Sequence, residues 1–275
     1  MEKEKELSRI AIEVRKKLLQ GIVKAGGGHT GGSLSSVDIL TALYFGILHV
    51  DPKHPDQPDR DRFILSKGHS VESYHCVLSL RGYFSEQILD TYGEFNSLLA
   101  GHPTRKVPGI EVNSGALGHG LSIATGMALA AKRSGHTYRA FVLMGDGEQG
   151  EGSNMEAAAS AGHYHLDNLV AIIDRNTLQI SGRTEEILAI ENLEAKYRAC
   201  GWEVRFCNGH DISELINVLS KVPFNTGKPS LLIAHTIKGK GVSFIEDREF
   251  WHHKVPTGEE LEQALKELDN ALANI

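Results

Sequence analysis

The segment AFVLMGDGEQGEGSNMEAAASAGHYHLDNLVAIIDRN, residues 140–176, decides the fold of this chain. It opens with a short apolar run at 140–144 and closes with another at 168–173, and both are typical of strands buried on two faces. Between them, residues 154–164 are mostly small and predict a helix. A strand, a helix and a second strand in this order predict a right-handed crossover between parallel strands.

The same alternation extends outward on both sides of this unit. Further strands are predicted at 63–66, 203–207 and 230–234. Further helices are predicted at 7–22, 37–48, 71–80, 121–132, 193–199, 212–219 and 259–275. The sequence therefore predicts an α/β fold in which a parallel sheet is flanked by helices on both faces.

The composition excludes several classes of protein. The 275 residues include 29 basic and 35 acidic side chains, so the net charge is −6, and no basic surface for nucleic acid or an anionic membrane is expected. No apolar run is long enough to span a bilayer, and the N-terminal MEKEKE lacks the apolar core of a signal peptide. Cys76, Cys200 and Cys207 have no metal-type spacing, so a reducing, cytoplasmic location is expected.

Two polar residues follow the two strands of the central unit. Asp146, within Gly145-Asp146-Gly147, follows the first strand, and Asn176 follows the second. Because ligands bind beyond the carboxyl ends of parallel strands, this carboxylate and this amide are expected side by side, with a carbonyl just past Asn176 as a third donor. Such oxygens suit Mg²⁺, the glycines admit a diphosphate, and the following helix would offer it N-terminal amides. Asp-Gly alone is more often only a turn.

The spacing of these residues resembles a known motif. Gly145-Asp146-Gly147, then 28 residues, then Asn176 resembles the diphosphate–metal motif of thiamine-diphosphate enzymes. Five further segments resemble those of transketolases, in the same order along the chain: GGGHTGG (26–32), RFILSKGHS (62–70), GHP (101–103), GALGHGLS (115–122) and IKGKGVSFIEDREFWHHKVP (237–256). Six motifs in family order are far more specific than any one of them. The resemblance, which runs from about residue 7 to about residue 260, is to the cofactor-binding half of a transketolase.

This resemblance implies a thiamine-diphosphate-binding fold that holds thiamine diphosphate and Mg²⁺, with Ca²⁺ or Mn²⁺ as alternative ions. Asp146, Asn176 and the carbonyl of Leu178 would ligate the metal. Cofactor contacts would come from Gly32, His69, Gly115, Ala116, Leu117, Gly147, Asn176, Lys238 and His252. Glu151 resembles a glutamate at the interface between subunits, although an acid in the first turn of a helix is equally ordinary.

Four of the 14 histidines lie in the motifs, and the resemblance implies that they are catalytic and line the channel above the cofactor: His29, His69, His102 and His252. His29 and His102 would bind substrate hydroxyl and carbonyl oxygens. His69 and His252 would contact the diphosphate and the sugar near the reacting carbon. Imidazoles titrate near neutral pH and can move protons in both directions. Eight others are predicted to be ordinary, satisfied polar residues: His49, His54, His75, His136, His163, His165, His210 and His235.

Three positions depart from the commonest family pattern. Thr30 stands where proline is common, His119 replaces a frequent glutamine, and His253 stands where glycine is usual. All three are expected near the site. They therefore leave open the substrate preference rather than the class of reaction.

The resemblance also implies a second polypeptide. In the family, the glutamate that contacts the aminopyrimidine ring of the cofactor lies on a domain C-terminal to this one. Because the sequence ends at Ile275, residues 1–275 are expected to form a single diphosphate-binding domain, and a C-terminal transketolase subunit is expected to supply the pyrimidine-binding domain. The expected assembly is α₂β₂ by two-fold symmetry. Sugars or sugar phosphates would be the substrates, with most phosphate contacts made by the partner.

The function implied is transfer of a two-carbon ketol unit from a ketose to an aldose. Another thiamine-diphosphate enzyme, such as the deoxyxylulose-phosphate synthase or a 2-oxoacid dehydrogenase component, is disfavoured by the four motif histidines, which suit sugars. A deoxy, sulfonated or branched ketose is an alternative donor. A non-catalytic cofactor-binding subunit is the remaining alternative, and the intact Asp146 and Asn176 argue against it.

Overall fold

Five strands form the sheet within residues 2–275, which the computed structural model describes. They are β1 (Arg62–Leu65), β2 (Ala140–Gly145), β3 (Leu169–Arg175), β4 (Glu203–Asn208) and β5 (Ser230–His235). Their order across the sheet is β1-β2-β3-β5-β4, and every neighbouring pair is parallel. The predicted α/β fold with a parallel sheet is confirmed.

Ten α-helices connect and cover these strands within the same residues. They are α1 (Glu2–Ala25), α2 (Thr30–Ala42), α3 (Val71–Arg81), α4 (Glu86–Leu89), α5 (His119–Ser134), α6 (Gly152–His163), α7 (Thr184–Ile187), α8 (Leu193–Ala199), α9 (Ile212–Leu219) and α10 (Gly258–Ala273). None of the helices in this described part of the chain is both long enough and apolar enough to cross a membrane.

Helix α2 differs most from its prediction at 37–48. It begins at Thr30, and Leu43–Ile47 form a π-helical turn at its end. Every residue of α2 is buried. Packing against neighbouring elements therefore overrides the low helix propensity of Gly31 and Gly32, which carry no apolar signal.

The strand side chains alternate between two apolar cores on opposite faces of the sheet. In β2, Phe141 and Leu143 join the core formed with α1, α2, α3, α9 and α10. Val142 and Met144 join the core formed with α5, α6 and α8. Because successive side chains of a strand point to opposite faces, a continuous apolar run supplies both cores.

The segments that leave the parallel strands gather at one edge of the sheet. Lys67 follows β1, Asp146 follows β2 and Asn176 follows β3. Lys238 lies just after β5 at the same edge. The topology thus brings together residues that are far apart in sequence, and it places them where a ligand can reach them.

A buried ion pair fixes this edge. Lys67 Nζ lies 2.5 Å from Asp174 Oδ2, and the two side chains are 1% and 0% exposed. Lys67 also donates to the Gly32 carbonyl at 3.0 Å, while the hydroxyl groups of Ser35 and Thr236 donate to the Asp174 carboxylate. Burial pushes the pKa of Asp174 upward, but Lys67 and these hydrogen bonds outweigh it and hold the pKa below its usual range. The pair ties β1, β3, α2 and the segment after β5 together.

Asp174→Asn should therefore lower the free energy of unfolding by about 3–5 kcal/mol, because it leaves the Lys67 ammonium buried without its counter-charge. Urea titration followed by circular dichroism measures the change. Asp269→Asn is the matched control: its pair with Lys16 is on the surface, with side chains 58% and 24% exposed, and its loss should cost less than about 1 kcal/mol. Equal losses in the two variants would contradict the role assigned to the buried pair.

Candidate active site

The residues at the carboxyl edge enclose a cavity of ≈ 390 Å³. The predicted site residues that line it are His29, Gly32, His69, Gly115, Leu117, Asp146, Gly147, Glu151, Asn176, Leu178, Lys238 and His252. Among the described residues, His102 and Ala116 are the two predicted ones outside this lining. The His102 ring nevertheless packs against Gly115 and stands 5.9 Å from the His29 ring.

Asp146 is buried just after β2, and both oxygens of its carboxylate accept hydrogen bonds. Oδ1 accepts from the backbone N–H of Gly147 at 2.7 Å. Oδ2 accepts from the backbone N–H of Thr177 at 2.6 Å and from Arg175 at 3.0 Å. Burial and the nearby Asp174 raise the pKa of Asp146 in spite of Arg175. A metal ion beside Asp146 would offset the cost of keeping its buried carboxylate charged. The carboxylate is therefore suited to the role of a metal ligand.

Two further oxygen atoms that could coordinate a metal reach the cavity from the segment after β3. The Asn176 Oδ1 accepts from the backbone N–H of Leu178 at 3.2 Å. The Leu178 carbonyl accepts from Lys238 Nζ at 3.2 Å. A carboxylate, an amide and a backbone carbonyl form a donor set that Mg²⁺ accepts, so the residues present fit such an ion.

A short turn separates the Gly145-Asp146-Gly147 motif from the next helix. Gly147–Gly150 form a 3₁₀ turn, and α6 begins at Gly152 after the extended Glu151. The amides next to Gly147 therefore belong to this turn, and the N-terminal amides of α6 lie farther along the chain. A Cβ on Gly147 would lie 3.0 Å from the Gln179 side chain, so glycine allows the two loops to pack closely.

Glu148, which the motifs did not single out, fastens the glycine-rich turn to the sheet. Its Oε1 accepts from the backbone N–H of Gly118 at 2.8 Å and from the Ser66 hydroxyl. Its Oε2 accepts from the backbone N–H of Gly145 at 3.0 Å. Burial raises the pKa of Glu148 in spite of these bonds. The carboxylate thus joins the ends of β1 and β2 to the turn that precedes α5.

Two glycines let the His69 segment and the glycine-rich turn meet at main-chain distance. A Cβ on Gly68 would lie 2.8 Å from the Gly115 nitrogen, and a Cβ on Gly115 would lie 2.5 Å from the His102 ring. Gly115 also has a φ of 134°, which favours glycine. This close packing brings His69 and His102 to the same side of the cavity.

Five imidazoles converge over the cavity. The centroid of the His29 ring lies 5.4 Å from that of His69, 5.9 Å from that of His102, 5.6 Å from that of His252 and 4.4 Å from that of His253. The structure therefore brings the four motif histidines together. His253 joins them, as expected for a residue near the site, although it was not among the predicted site residues.

His29, His69 and His252 are neutral at pH 7. Burial and the neighbouring histidines lower the pKa of His29 to about 4. Burial and the Lys238 ammonium lower the pKa of His252 to about 3, and burial and Lys67 lower that of His69 well below its usual value. Lys238 Nζ donates to His252 Nδ1 at 2.8 Å, and burial lowers the pKa of Lys238 to about 8. Neutral rings can accept hydrogen bonds from sugar hydroxyl groups.

Glu72, on α3, sets the position of His29, and no sequence motif singled it out. Its Oε1 accepts from the backbone N–H of His29 at 3.0 Å and from the Tyr92 hydroxyl at 2.8 Å. Its Oε2 accepts from the Ser33 hydroxyl at 2.6 Å. His29 is the N-cap residue of α2, so this buried carboxylate anchors the start of the helix.

Two of the histidines predicted to be ordinary show opposite outcomes. The Nδ1 of His210 lies 2.8 Å from Asp38, and its Nε2 accepts from the Ile237 backbone N–H at 2.8 Å, as a satisfied polar residue should. His75 has both ring nitrogens buried without a partner among residues 2–275, so the prediction is wrong for this residue. Burial lowers the pKa of His75 to about 3, which keeps the ring neutral.

The three departures from the family pattern lie in different environments. Thr30 is buried and donates to the Lys254 carbonyl at 2.7 Å. His119 is exposed at the start of α5. Within the described part of the chain, His253 is the one of the three that lines the cavity.

Comparison with known proteins gives the family. The family model described as "Transketolase, thiamine diphosphate binding domain" matches residues 8–269 of this chain. An apulose-4-phosphate transketolase subunit of Phocaeicola vulgatus is 51% identical over 95% of this chain and 93% of its own length. A 6-deoxy-6-sulfo-D-fructose transketolase subunit of a Clostridium species is 41% identical over 98% of both chains.

A solved structure shares the fold. Transketolase from Campylobacter jejuni matches with a TM-score of 0.89 at 31% identity, over 98% of this chain. This chain spans 43% of the length of that protein. The family match over residues 8–269 and the two subunit relatives agree with this likeness. The chain therefore belongs to the transketolase family, as an N-terminal subunit of a transketolase-type enzyme with a thiamine diphosphate binding domain.

Proposed function

We propose that this chain holds thiamine diphosphate and Mg²⁺ for a split transketolase, which moves a two-carbon ketol unit from a ketose phosphate to an aldose phosphate and is active only with a partner chain. The observation that carries the proposal is the meeting of three metal-binding oxygens with His29, His69 and His252 at one cavity, with His102 beside His29. Residues 1–275 would form a single diphosphate-binding domain. The free thiols of the three cysteines support a cytoplasmic location.

The proposed metal ligands are Asp146, Asn176 and the Leu178 carbonyl. Diphosphate oxygens and water would complete the coordination of Mg²⁺, and Ca²⁺ or Mn²⁺ also accept oxygen ligands. Lys67 and Lys238 line the same cavity and add positive charge that favours a diphosphate. The remaining contacts would come from Gly32, Gly115, Ala116, Leu117 and Gly147.

The histidines would orient the sugar and move its protons. When bound, thiamine diphosphate supplies the electron sink for breaking and forming the carbon–carbon bond. Neutral His29 and His252 can accept a proton from a hydroxyl group and return it. His102, beside His29, would hold a sugar oxygen, and His69 would contact the cofactor below it.

Two observations support a partner chain. The relative from Phocaeicola vulgatus is itself named as one subunit of its transketolase. Beside the cavity, Ile180 and Leu188 are 61% and 57% exposed, Ile180 is part of the lining, and Leu188 packs next to Gly150. Exposed large apolar side chains around a cavity are typical of a surface covered by another protein. The exposed Glu151 would lie at this interface, in an α₂β₂ assembly with two-fold symmetry.

An unusual ketose is the second candidate for the donor. The two subunit relatives are named for apulose 4-phosphate and for 6-deoxy-6-sulfo-D-fructose. His253 adds an imidazole to the cavity, 4.4 Å from His29, and so changes the surface that the sugar meets. Apulose 4-phosphate, named by a relative with 51% identity, is the first such donor to test.

Ketol transfer should appear only when this chain is combined with the protein that copurifies with it. The rate would be measured with Mg²⁺ and thiamine diphosphate, with xylulose 5-phosphate or apulose 4-phosphate as donor and ribose 5-phosphate as acceptor. The chain alone should show no more transfer than buffer, because it supplies only part of the site. Turnover by the isolated chain would contradict the need for a partner, and a strong preference for xylulose 5-phosphate would contradict the unusual donor.

Asp146→Asn should weaken Mg²⁺-dependent binding of thiamine diphosphate to the assembled complex by more than about 100-fold. It removes the carboxylate of the proposed donor set and keeps the side-chain volume. Calorimetry measures the affinity, and circular dichroism checks the fold. Asp59→Asn, at an exposed residue on the opposite edge of the sheet, is the control. An unchanged affinity in Asp146→Asn would rule out the ligand role.

His102→Ala should keep the affinity for thiamine diphosphate and lower kcat/KM for the sugar by about 10²–10⁴-fold. The His102 ring lies outside the lining of the cofactor cavity but beside His29. There it would contact the substrate and not the cofactor. Steady-state kinetics and cofactor titration separate the two effects. His54→Ala, an exposed histidine before β1, should change neither quantity. A parallel loss of cofactor binding in His102→Ala would place the ring against the cofactor instead.

A further inference from the structure

Three imidazoles of the cavity lie close enough together to hold a metal ion. One ring nitrogen from each of His29, His252 and His253 lies within 4.8 Å of those of the other two. The ring centroids are 4.4 Å apart for His29 and His253 and 4.5 Å apart for His252 and His253. The rings come from the N-cap of α2 and from the end of the 3₁₀ turn Glu249–His252, so the fold creates the grouping.

The ring nitrogens are available to a metal. Within residues 2–275, the hydrogen bonds of His29 run through its main chain, to Glu72 and Ser33, which leaves its ring free. The ring of His253 is exposed to solvent.

Lys238 is the group that opposes a cation here. Its Nζ donates to His252 Nδ1 at 2.8 Å. It also donates to the carbonyls of Leu178 and Gln179, at 3.2 Å and 3.4 Å, so it can leave the ring without losing all its partners. The positive charge of Lys238 should weaken the affinity of the three imidazoles for a metal ion, compared with a site that has no ammonium nearby. It should not prevent coordination.

We propose that His29, His252 and His253 form a site for a divalent cation of the Zn²⁺ class, with a fourth position open toward the cavity. Tetrahedral Zn²⁺ binds imidazole nitrogen at about 2.0–2.1 Å, which places ligand nitrogens ~3.3 Å apart. The nitrogens, now within 4.8 Å of one another, reach this spacing by rotations of the three rings, of which the exposed His253 ring has the most room. Nitrogen ligands select Zn²⁺, Co²⁺, Ni²⁺ or Cu²⁺ over Mg²⁺, so this site is distinct from the oxygen-donor site at Asp146.

Occupation of this site would inhibit the proposed ketol transfer. The metal engages His29 and His252, the two neutral imidazoles assigned to the proton transfers of the sugar. Zinc would therefore act as a reversible inhibitor that competes with the substrate for these rings. This consequence rests on the proposed function, whereas metal binding itself does not.

Zinc binding to the full chain, without cofactor, partner or substrate, tests the site. Calorimetry measures Zn²⁺ binding, and the visible absorption of bound Co²⁺ reports tetrahedral coordination. His253→Ala and His29→Ala should each raise the Kd for one equivalent of Zn²⁺ by at least about tenfold. His54→Ala, which removes an exposed histidine at the opposite edge of the sheet, should leave it unchanged. Circular dichroism confirms that the variants fold.

Two outcomes of these titrations would overturn the site. One is equal Zn²⁺ stoichiometry and affinity in the parent chain and His253→Ala, since the bound zinc would then belong to other histidines. The other is the absence of the absorption bands of tetrahedral Co²⁺ when Co²⁺ is added to the parent chain.

The inhibitory role is tested on the assembled enzyme. The Zn²⁺ concentration that halves the rate should rise at least about tenfold in His253→Ala, each rate being taken relative to its own zinc-free value. Unchanged inhibition would overturn this role. If the assembly transfers no ketol units, the proposed function fails, while the zinc titration of the single chain still decides the metal site.

Discussion

The ion pair between Lys67 and Asp174 is the contact on which the carboxyl edge of the sheet depends. Two charges this deeply buried are costly to desolvate, and they persist because neighbouring hydroxyl groups and a main-chain carbonyl complete their hydrogen bonds. The pair fixes where α2 begins relative to β1 and β3. Since His29 caps α2, the same contact sets the position of the imidazole cluster relative to the strand ends that carry the oxygen donors.

Two other buried carboxylates extend this arrangement to the glycine-rich segments. Glycine allows close approach of backbones, but it also leaves a segment free to adopt many conformations. Glu148 accepts from an amide of the turn at 115–118, and Glu72 accepts from the amide of His29 in the segment 26–32. Each carboxylate thus restrains one flexible segment from a position on the rigid part of the fold. The cavity therefore combines close main-chain approach with fixed side chains.

Local patterns in the sequence were sufficient to predict the five strands, because short apolar runs bounded by turns leave few alternatives. They also placed Asp146 and Asn176 at one edge, since parallel strands end together. Glu72 and Glu148 could not be recognised, because an acid near a helix start is ordinary and their roles depend on contacts across 43 and 30 residues. The start of α2 was missed for a related reason: its glycines are helical only because neighbouring elements bury them.

Cofactor binding and assembly of the two chains would be linked in the proposed enzyme. The oxygen donors at Asp146 and Asn176 open into the same cavity as Ile180, whose side chain is 61% exposed. If a partner covers this rim, a ligand in the cavity contacts both chains and binds the assembled form more tightly than the single chain. By reciprocity, the ligand then favours assembly by the same factor, and a 100-fold difference corresponds to about 2.7 kcal/mol. Division of the site between two chains would thus let cofactor concentration control how much active complex forms.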